Sequence, residues 1–223
     1  MPTLHLSNYP FYSSTEIKRL FGVPFIIIIA LITTFIDWPY NALLSSTLLL
    51  IVGISYGALC KSWVGFTLTA THFQQHFYHG GWVVKWNNIR QIGVCSYQQE
   101  GWHQPLPWIG IQLKNYSPFL DAICPRVARD MLMNQRALLY LGAKQKGKTI
   151  LFEEIVLDST PYKDEDGRLY TGLMAMLANR MHYQREYYDF DVYIAEADLD
   201  RNADEFVGLA RRYLAAAEPE IKQ

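Results

Sequence analysis

Two apolar runs near the N-terminus constrain the fold of this chain more than any other feature. Leu20–Ile36 reads LFGVPFIIIIALITTFI and Ala42–Cys60 reads ALLSSTLLLIVGISYGALC, and neither contains Asp, Glu, Lys, Arg or His. A helix that crosses the hydrocarbon core of a bilayer needs about 20 mostly apolar residues, with a lower limit of about 17. Both runs meet this requirement and predict a transmembrane hairpin with helices over about residues 20–36 and 42–60.

Two other interpretations of these runs are a secretory signal and a buried helix of a soluble protein. The first run is followed by Asp37–Asn41, DWPYN, which lacks the small residues of a cleavage site, and then by a second apolar run. A soluble core helix of this length keeps a polar face, whereas these runs offer only Ser, Thr and Tyr. The membrane hairpin is therefore the prediction.

The charges that flank the hairpin predict its orientation. Lys18 and Arg19 precede the first run and Lys61 follows the second, while the connector carries only Asp37. Because basic residues favour the cytoplasmic side, we expect a two-pass protein with both termini in the cytoplasm. Aromatic residues suited to the two membrane interfaces flank the runs on either side, namely Tyr12, Trp38, Tyr40 and Trp63.

Length and composition bound the part of the chain after the hairpin. Removing about 60 of the 223 residues leaves roughly 160, enough for one domain with a core. The chain has 20 basic and 21 acidic residues, so nucleic acid is not an expected partner. Its three scattered cysteines lack metal-site spacing and predict reduced thiols. We therefore expect residues 1–61 to form a lead-in and hairpin and residues 62–223 a cytoplasmic α+β domain, without cofactor or metal.

The first part of that domain, residues 63–114, shows the period-two pattern of β-strands. Phe66–Thr69, Phe73–Tyr78 and Trp82–Trp86 are rich in aromatic and β-branched residues, and Gly80-Gly81 is a hairpin signal. Further strands are predicted over Ile89–Tyr97 and, after the proline-containing loop Glu100–Pro107, over Trp108–Leu113. The pattern indicates an antiparallel sheet.

These residues carry a family resemblance. A hydrophobic hairpin followed by FTLTATHFQQHFYHGGWVVKWNNIRQIGV, with the step Trp86-Asn87-Asn88-Ile89, resembles the bacterial pleckstrin-homology-like (PH-like) domains, and the whole chain is similar to an uncharacterised bacterial family. The resemblance covers Trp63–Leu113 and implies a PH-like sheet and a bacterial inner-membrane location. It departs at the C-terminus, because one helix usually closes such a barrel whereas more than 100 residues remain here.

The remaining residues, 117–223, are predicted to be mainly helical. Ser117-Pro118 and Pro125 are helix-start signals. Apolar stripes predict two further helices after the acidic loop Tyr162–Gly167, with Tyr187–Ile194 between them as a strand and Asp198 or Asp200 as a cap. A local basic run is interpreted as a solvated face, with contact to anionic lipid as the alternative: Arg126, Arg129, Arg136, Lys144, Lys146 and Lys148.

Residues 142–149, GAKQKGKT, match the P-loop pattern G-x-x-x-x-G-K-[ST] at every position. In a P-loop the backbone N–H groups surround phosphates, the lysine reaches the outer phosphates and the hydroxyl binds magnesium. Gly142, Gly147, Lys148 and Thr149 are therefore the residues of an alternative function, that of a small membrane-tethered nucleotide-binding enzyme.

The sequence around this motif argues against nucleotide binding. A P-loop follows a strand, whereas Ala137–Leu141 continues a helical pattern, and Thr149–Leu157, which must open a helix, leans toward strand. Only 74 residues follow Thr149, too few for the parallel sheet that a nucleotide site needs. The preferred interpretation is a charged turn between a helix and a strand.

Other candidate sites have structural explanations. Gly53 and Gly57 form a G-x-x-x-G step, which predicts packing of the second apolar helix against the first or against a second copy of the chain. His72, His76 and His79 cluster, but the first two lie about 13 Å apart on a strand, too far to share a metal ion. The overall expectation is a non-catalytic, membrane-anchored recognition or assembly module. Its expected partners are the bilayer and, through the hairpin, a second protein or a second copy of the chain.

Overall fold

The computed structural model describes residues 1–9, 14–35, 37–99 and 102–217. Tyr12, Ile36, Glu100, Gly101 and residues 218–223, to which the sequence-based expectations refer, lie outside them. Two long helices dominate the N-terminal part, α1 (Ser14–Phe35) and α2 (Tyr40–Ser62). Within the described residues α2 is long and apolar enough to cross a membrane and is unburied, and Gly22–Thr34 forms a shorter apolar helix.

A strand precedes these helices and joins the sheet that comes after them. β1 (Leu4–Ser7) pairs antiparallel with β2 (Val64–Leu68) in the register Ser7↔Gly65. The interpretation of the N-terminal residues as an irregular lead-in is wrong for residues 4–7, and a domain boundary at residue 61 divides one sheet. Sheet A continues through β3 (His72–Phe77) and β4 (Gly80–Lys85) in the order β1-β2-β3-β4.

Sheet B has three antiparallel strands in the order β5-β6-β9, formed by β5 (Ile89–Gln99), β6 (Trp102–Leu113) and β9 (Val192–Ala195). The register of β5 and β6 shifts between Val94 and Ser96, so the hairpin has a bulge there. Residues 102–107, predicted as loop, belong to β6, because both prolines lie where the register is irregular or at the exposed strand end.

Six further helices and a small hairpin follow in the described part of residues 114–217. Most of the helices pack on the two sheets. The predicted acidic loop begins within β7, which pairs with β8, and its residues 164–167 lie in the turn between these two strands. The bounds of these helices and strands are α3 (Ser117–Ala122), α4 (Pro125–Asn134), α5 (Arg136–Gln145), α6 (Phe152–Leu157), β7 (Tyr162–Lys163), β8 (Leu169–Tyr170), α7 (Gly172–Tyr188) and α8 (Ala203–Ala215).

The last helix, α8, packs on the core that the two sheets share. Phe206 meets the rings of Phe66 and Phe73 edge-on, with centroids 5.1 and 6.2 Å away, and Tyr213 stacks on Trp86 at 5.9 Å. The helix is capped by Asn202, whose side chain accepts from the Glu205 N–H at 2.9 Å, and not by Asp198 or Asp200. The core therefore joins the chain's first strands to its last helix.

The mixed α+β class is confirmed, and two local predictions near its C-terminus are wrong. Thr149–Leu151 forms a short 3-10 turn that leads into α6, so this segment is helical although its residues favour a strand. Tyr187 and Tyr188 end α7, and the strand begins only at Val192. In both places packing on sheet B overrides local β propensity, since Ile155, Val156, Tyr187 and Tyr188 share one buried cluster with Cys95.

Candidate functional site beside the helical insertion

The chain enters and leaves the α1–α2 pair at one point of sheet A. The Asn8 N–H donates to the Val64 carbonyl and the Val64 N–H donates to Asn8 Oδ1, both at 3.1 Å. Asn8 Nδ2 also donates to the Ser62 carbonyl, at the end of α2, at 2.8 Å. These bonds hold the two ends of a 55-residue insertion beside each other (residues 9–63, counted from the sequence).

A cavity of about 470 Å³ lies at this end of the domain, within the size range of about 300–1,000 Å³ that ligand sites occupy. Its walls come from the β3–β4 turn, the end of sheet B and helix α4, and Lys61 of the last turn of α2 also lines it. Aromatic and apolar side chains form much of the lining: Phe77, Tyr78, Trp82, Trp108, Met131 and Tyr193.

Gln75 is the least expected residue of the cavity. It faces Trp82 across the β3–β4 register and is only 2% exposed, yet its side-chain amide makes no hydrogen bond to the described residues. The Trp82 indole N–H, on a side chain that is 1% exposed, also lacks a partner within the described part of the chain. A buried polar group without a partner costs about 1–3 kcal/mol, which applies to the Trp82 N–H. Gln75 lines the cavity, where its amide can bond a ligand.

A second amide lies on the other wall. Gln135 in the link between α4 and α5 accepts from Gln184 Nε2 at 3.2 Å, and its Nε2 donates to the Tyr193 carbonyl at 3.4 Å. The cavity thus combines aromatic surface with side-chain amides.

Charges around the cavity nearly balance. Arg129 and Asp130 pair with each other at 2.9 Å, which leaves Lys61 and Asp198 as opposite charges. Burial raises the pKa of the Asp198 carboxyl above its usual value. The site therefore has no strong preference for an anion or a cation.

The P-loop-like segment is a helix end. Gly147 adopts a left-handed φ of 69°, its N–H donates to the Lys144 carbonyl at 3.1 Å, and the Lys148 N–H donates to the Ala143 carbonyl at 2.8 Å. This is the Schellman arrangement that closes α5. Since the N–H groups that a phosphate would need are bonded to carbonyls, the geometry favours a structural turn. That turn joins two helical segments and not a helix and a strand.

Side chains of the same segment also have structural partners. Lys148 pairs with Glu186 at 2.6 Å and lies 6.0 Å from the centre of the Tyr187 ring. Gly142 lies under that ring, because a Cβ added there would be 2.5 Å from Tyr187 Cδ2. Thr149 begins the 3-10 turn before α6. The structure thus brings Gly142 and Lys148 to α7, with no cradle for phosphate among the described residues around them.

Gly53 and Gly57 lie on a face of α2 that the described residues leave open. A Cβ at either position would meet nothing within 4 Å among the described residues, so these glycines show no close approach to the described part of α1. Packing of this face, against the first helix or against a second copy, stays a prediction.

The histidines do not assemble a metal site among the described residues. His76 Nε2 and His5 Nδ1 both bond the Thr67 hydroxyl, at 2.9 and 3.0 Å, whereas His72 bonds Thr69. Burial, and then the charge of His5, lower the pKa of His76. Burial also raises the pKa of the Cys95 thiol to about 12, which makes it unreactive.

Asp191 is a buried carboxylate with a structural role. Asp191 accepts from the Leu113 N–H and the Tyr116 hydroxyl, both at 2.7 Å, and from two nitrogens of Arg185. Burial raises the pKa of Asp191, and its bonds to Arg185, Leu113 and Tyr116 oppose that shift. Because its oxygens are occupied, this group is a structural ion pair that joins α7 to sheet B.

Sequence reasoning missed both Asn8 and Gln75. Gln75 had a detectable signal, because the alternation Phe73, Gln75, Phe77 places a glutamine where apolar residues point inward. Asn8 had none, since its partners at Ser62 and Val64 are more than 50 residues away.

A comparison with protein families matches residues 66–216 to "Protein of unknown function (DUF2982)". The match covers more than half of the chain, so the chain belongs to this family. Neither the curated proteins nor the solved structures that were compared give a match.

Proposed function

We propose that this DUF2982 protein is a non-catalytic recognition module, anchored by α1 and α2 as a two-pass hairpin and exposing its cavity at the cytoplasmic face of the inner membrane. The observation that carries the proposal is the hydrogen-bonded junction of Asn8 with Ser62 and Val64. Because the chain leaves and re-enters the sheet at one point, α1 and α2 reach the bilayer together from one end of the domain.

The length of α2 agrees with this arrangement. At 1.5 Å per residue its 23 residues extend about 35 Å, against a hydrocarbon core of about 30 Å. The 22 residues of α1 extend about 33 Å, of which the apolar part Gly22–Thr34 accounts for about 20 Å. The exposed apolar side chains of α2 would be costly in water but favourable in lipid.

A PH-like interpretation of the domain gains support from its architecture. Sheet A has four antiparallel strands, sheet B has three, and the C-terminal helix α8 packs against the core between them. The additional residues, α3 to α7, lie between β6 and β9 and so are an insertion before the last strand. Under this proposal the hairpin is a second insertion, between β1 and β2.

Reporter fusions test the topology. We expect a periplasm-specific reporter, alkaline phosphatase, to be active after Asn41, and green fluorescent protein to be fluorescent when fused after Ser62 or after the C-terminus. The full chain should remain with membranes after alkaline carbonate extraction. Fluorescence from a fusion after Asn41, or release of the chain by carbonate, would overturn the two-pass anchor.

A further inference from the structure

We propose that the cavity beside Lys61 binds an uncharged, extended peptide segment that inserts an aromatic side chain, and that this segment belongs to a membrane protein near the point where it leaves the bilayer. The location at the bilayer rests on the proposed function. The ligand chemistry rests on the cavity alone.

The first argument for a peptide ligand comes from the side-chain amide of Gln75. Gln75 offers an amide with a donor and an acceptor side, and it is 2% exposed at the cavity without a bond to the described residues. A peptide main chain has the complementary pair, a carbonyl and an N–H, at every residue. A lipid acyl chain would leave the amide unbonded, at a cost of about 1–3 kcal/mol.

The second argument, for an aromatic side chain on the ligand, comes from the residues that line the cavity. Tyr78, Trp108 and Tyr193 line the space together with Trp82, and aromatic pairs gain about 0.5–1.5 kcal/mol beyond the burial of apolar area. An aromatic residue within a peptide can place its ring against these aromatic side chains, while the peptide groups on its two sides form hydrogen bonds with the Gln75 amide.

The third argument, for an uncharged ligand, comes from the charges around the cavity. Arg129 and Asp130 neutralise each other, and Lys61 and Asp198 have opposite signs. A phosphate or a carboxylate would meet one unpaired cation and one acid, so an uncharged segment fits better than an anionic headgroup. The presence of Lys61, in the last turn of α2, places the opening where the anchor emerges.

The test uses the full chain in detergent micelles and the neutral probe N-acetyl-L-phenylalaninamide. The six tryptophan indole N–H signals are followed by NMR, and that of Trp82 is identified as the one lost in Trp82→Phe. We expect the probe to shift the Trp82 signal in a saturable manner. If Trp82→Phe does not fold, the Trp82 signal stays unassigned. The affinity of the probe is then measured from any indole signal that shifts in a saturable manner, and this affinity is compared between the variants described below.

Matched variants locate the site. Gln75→Leu keeps the size of the side chain and removes its amide, so we expect the probe to bind about fivefold more weakly or worse. Gln74→Leu makes the same change on the opposite face of β3 and should leave the affinity unchanged. Equal effects of the two substitutions would overturn the assignment.

Three comparison ligands distinguish other occupants. Propylbenzene, which lacks amides, and N-acetyl-L-phenylalanine, which is anionic, should each bind more weakly than the amide. A spin-labelled phosphatidylglycerol that broadens the Trp82 signal while the amide has no effect would reassign the cavity to lipid. Absence of binding by all probes would also overturn the proposal, and none of these results depends on the reporter fusions.

Discussion

Asn8 and Val64 are hydrogen-bonded to each other twice, through the backbone N–H of Asn8 and through that of Val64, although 56 positions separate them. Every residue of α1 and α2 lies between them. The two bonds therefore attach both ends of the helical insertion to sheet A.

Replacing Asn8 by Ala should weaken the attachment of the helical insertion to sheet A. The substitution removes the side-chain bonds to Ser62 and Val64, and we expect the free energy of unfolding to fall by about 1–3 kcal/mol. Urea titration of the detergent-solubilised chain, followed by tryptophan fluorescence, measures the change. Asn87→Ala, at a residue whose side chain makes no bond within the described residues, is the control, and an equal loss there would contradict this role.

Two Gly→Ala substitutions in helices should have opposite effects. Gly208 in α8 has open space around it, so Ala should stabilise by about 0.5–1 kcal/mol through helix propensity. Gly142 in α5 lies against Tyr187, so Ala should destabilise by about 1–3 kcal/mol through overpacking. Melting temperatures of the two variants, measured side by side, test both expectations. Stabilisation by both would show that Tyr187 moves away without cost.

The left-handed conformation of Gly147 predicts a third effect. A residue with a Cβ is strained at a φ of 69°, so Gly147→Ala should destabilise by about 1–2 kcal/mol. Gly147→Asn should lose less, because Asn tolerates this conformation better than Ala does. The order Gly, Asn, Ala in denaturant midpoint is the expected result, and a midpoint of Ala equal to that of Gly would exclude the Schellman end.

Nucleotide binding provides a test of the same segment. Because the N–H groups of Gly147 and Lys148 are bonded to carbonyls, we expect no magnesium-dependent binding of ATP by the wild-type chain or by Lys148→Ala. Equilibrium dialysis with radiolabelled ATP, with and without magnesium, is the measurement. Saturable binding that Lys148→Ala abolishes would favour the nucleotide-binding alternative instead.

Stability should depend on His76 in mildly acidic solution. Its pKa in the folded chain is below the usual 6.5, so the unfolded chain binds more protons as the pH falls through that value. The free energy of unfolding should therefore decrease as the pH falls below about 6.5, and His76→Gln should reduce that slope. Urea midpoints at pH 7.5 and 5.5 measure it. His103→Gln serves as the comparison, and an unchanged slope in His76→Gln would refute the prediction.

Local patterns were sufficient for much of the fold. The alternation over residues 63–113 predicts strands that the structure contains, and the helix signals at Ser117-Pro118 and Pro125 mark the starts of α3 and α4. These features depend on the burial of one face, which periodicity records directly. Of the predicted membrane hairpin, the structure supports one helix, α2, as a candidate span.

The sequence by itself determined the mixed α+β class and the apolar character of residues 20–60, because both follow from the order of side chains along a strand or helix. Three further features were decided by the tertiary structure, since they depend on contacts that the sequence pattern does not record. β1 pairs with β2 across the helical insertion, residues 142–149 form the end of α5 and not a P-loop, and Gln75 faces a cavity. Such contacts leave no local period in the sequence.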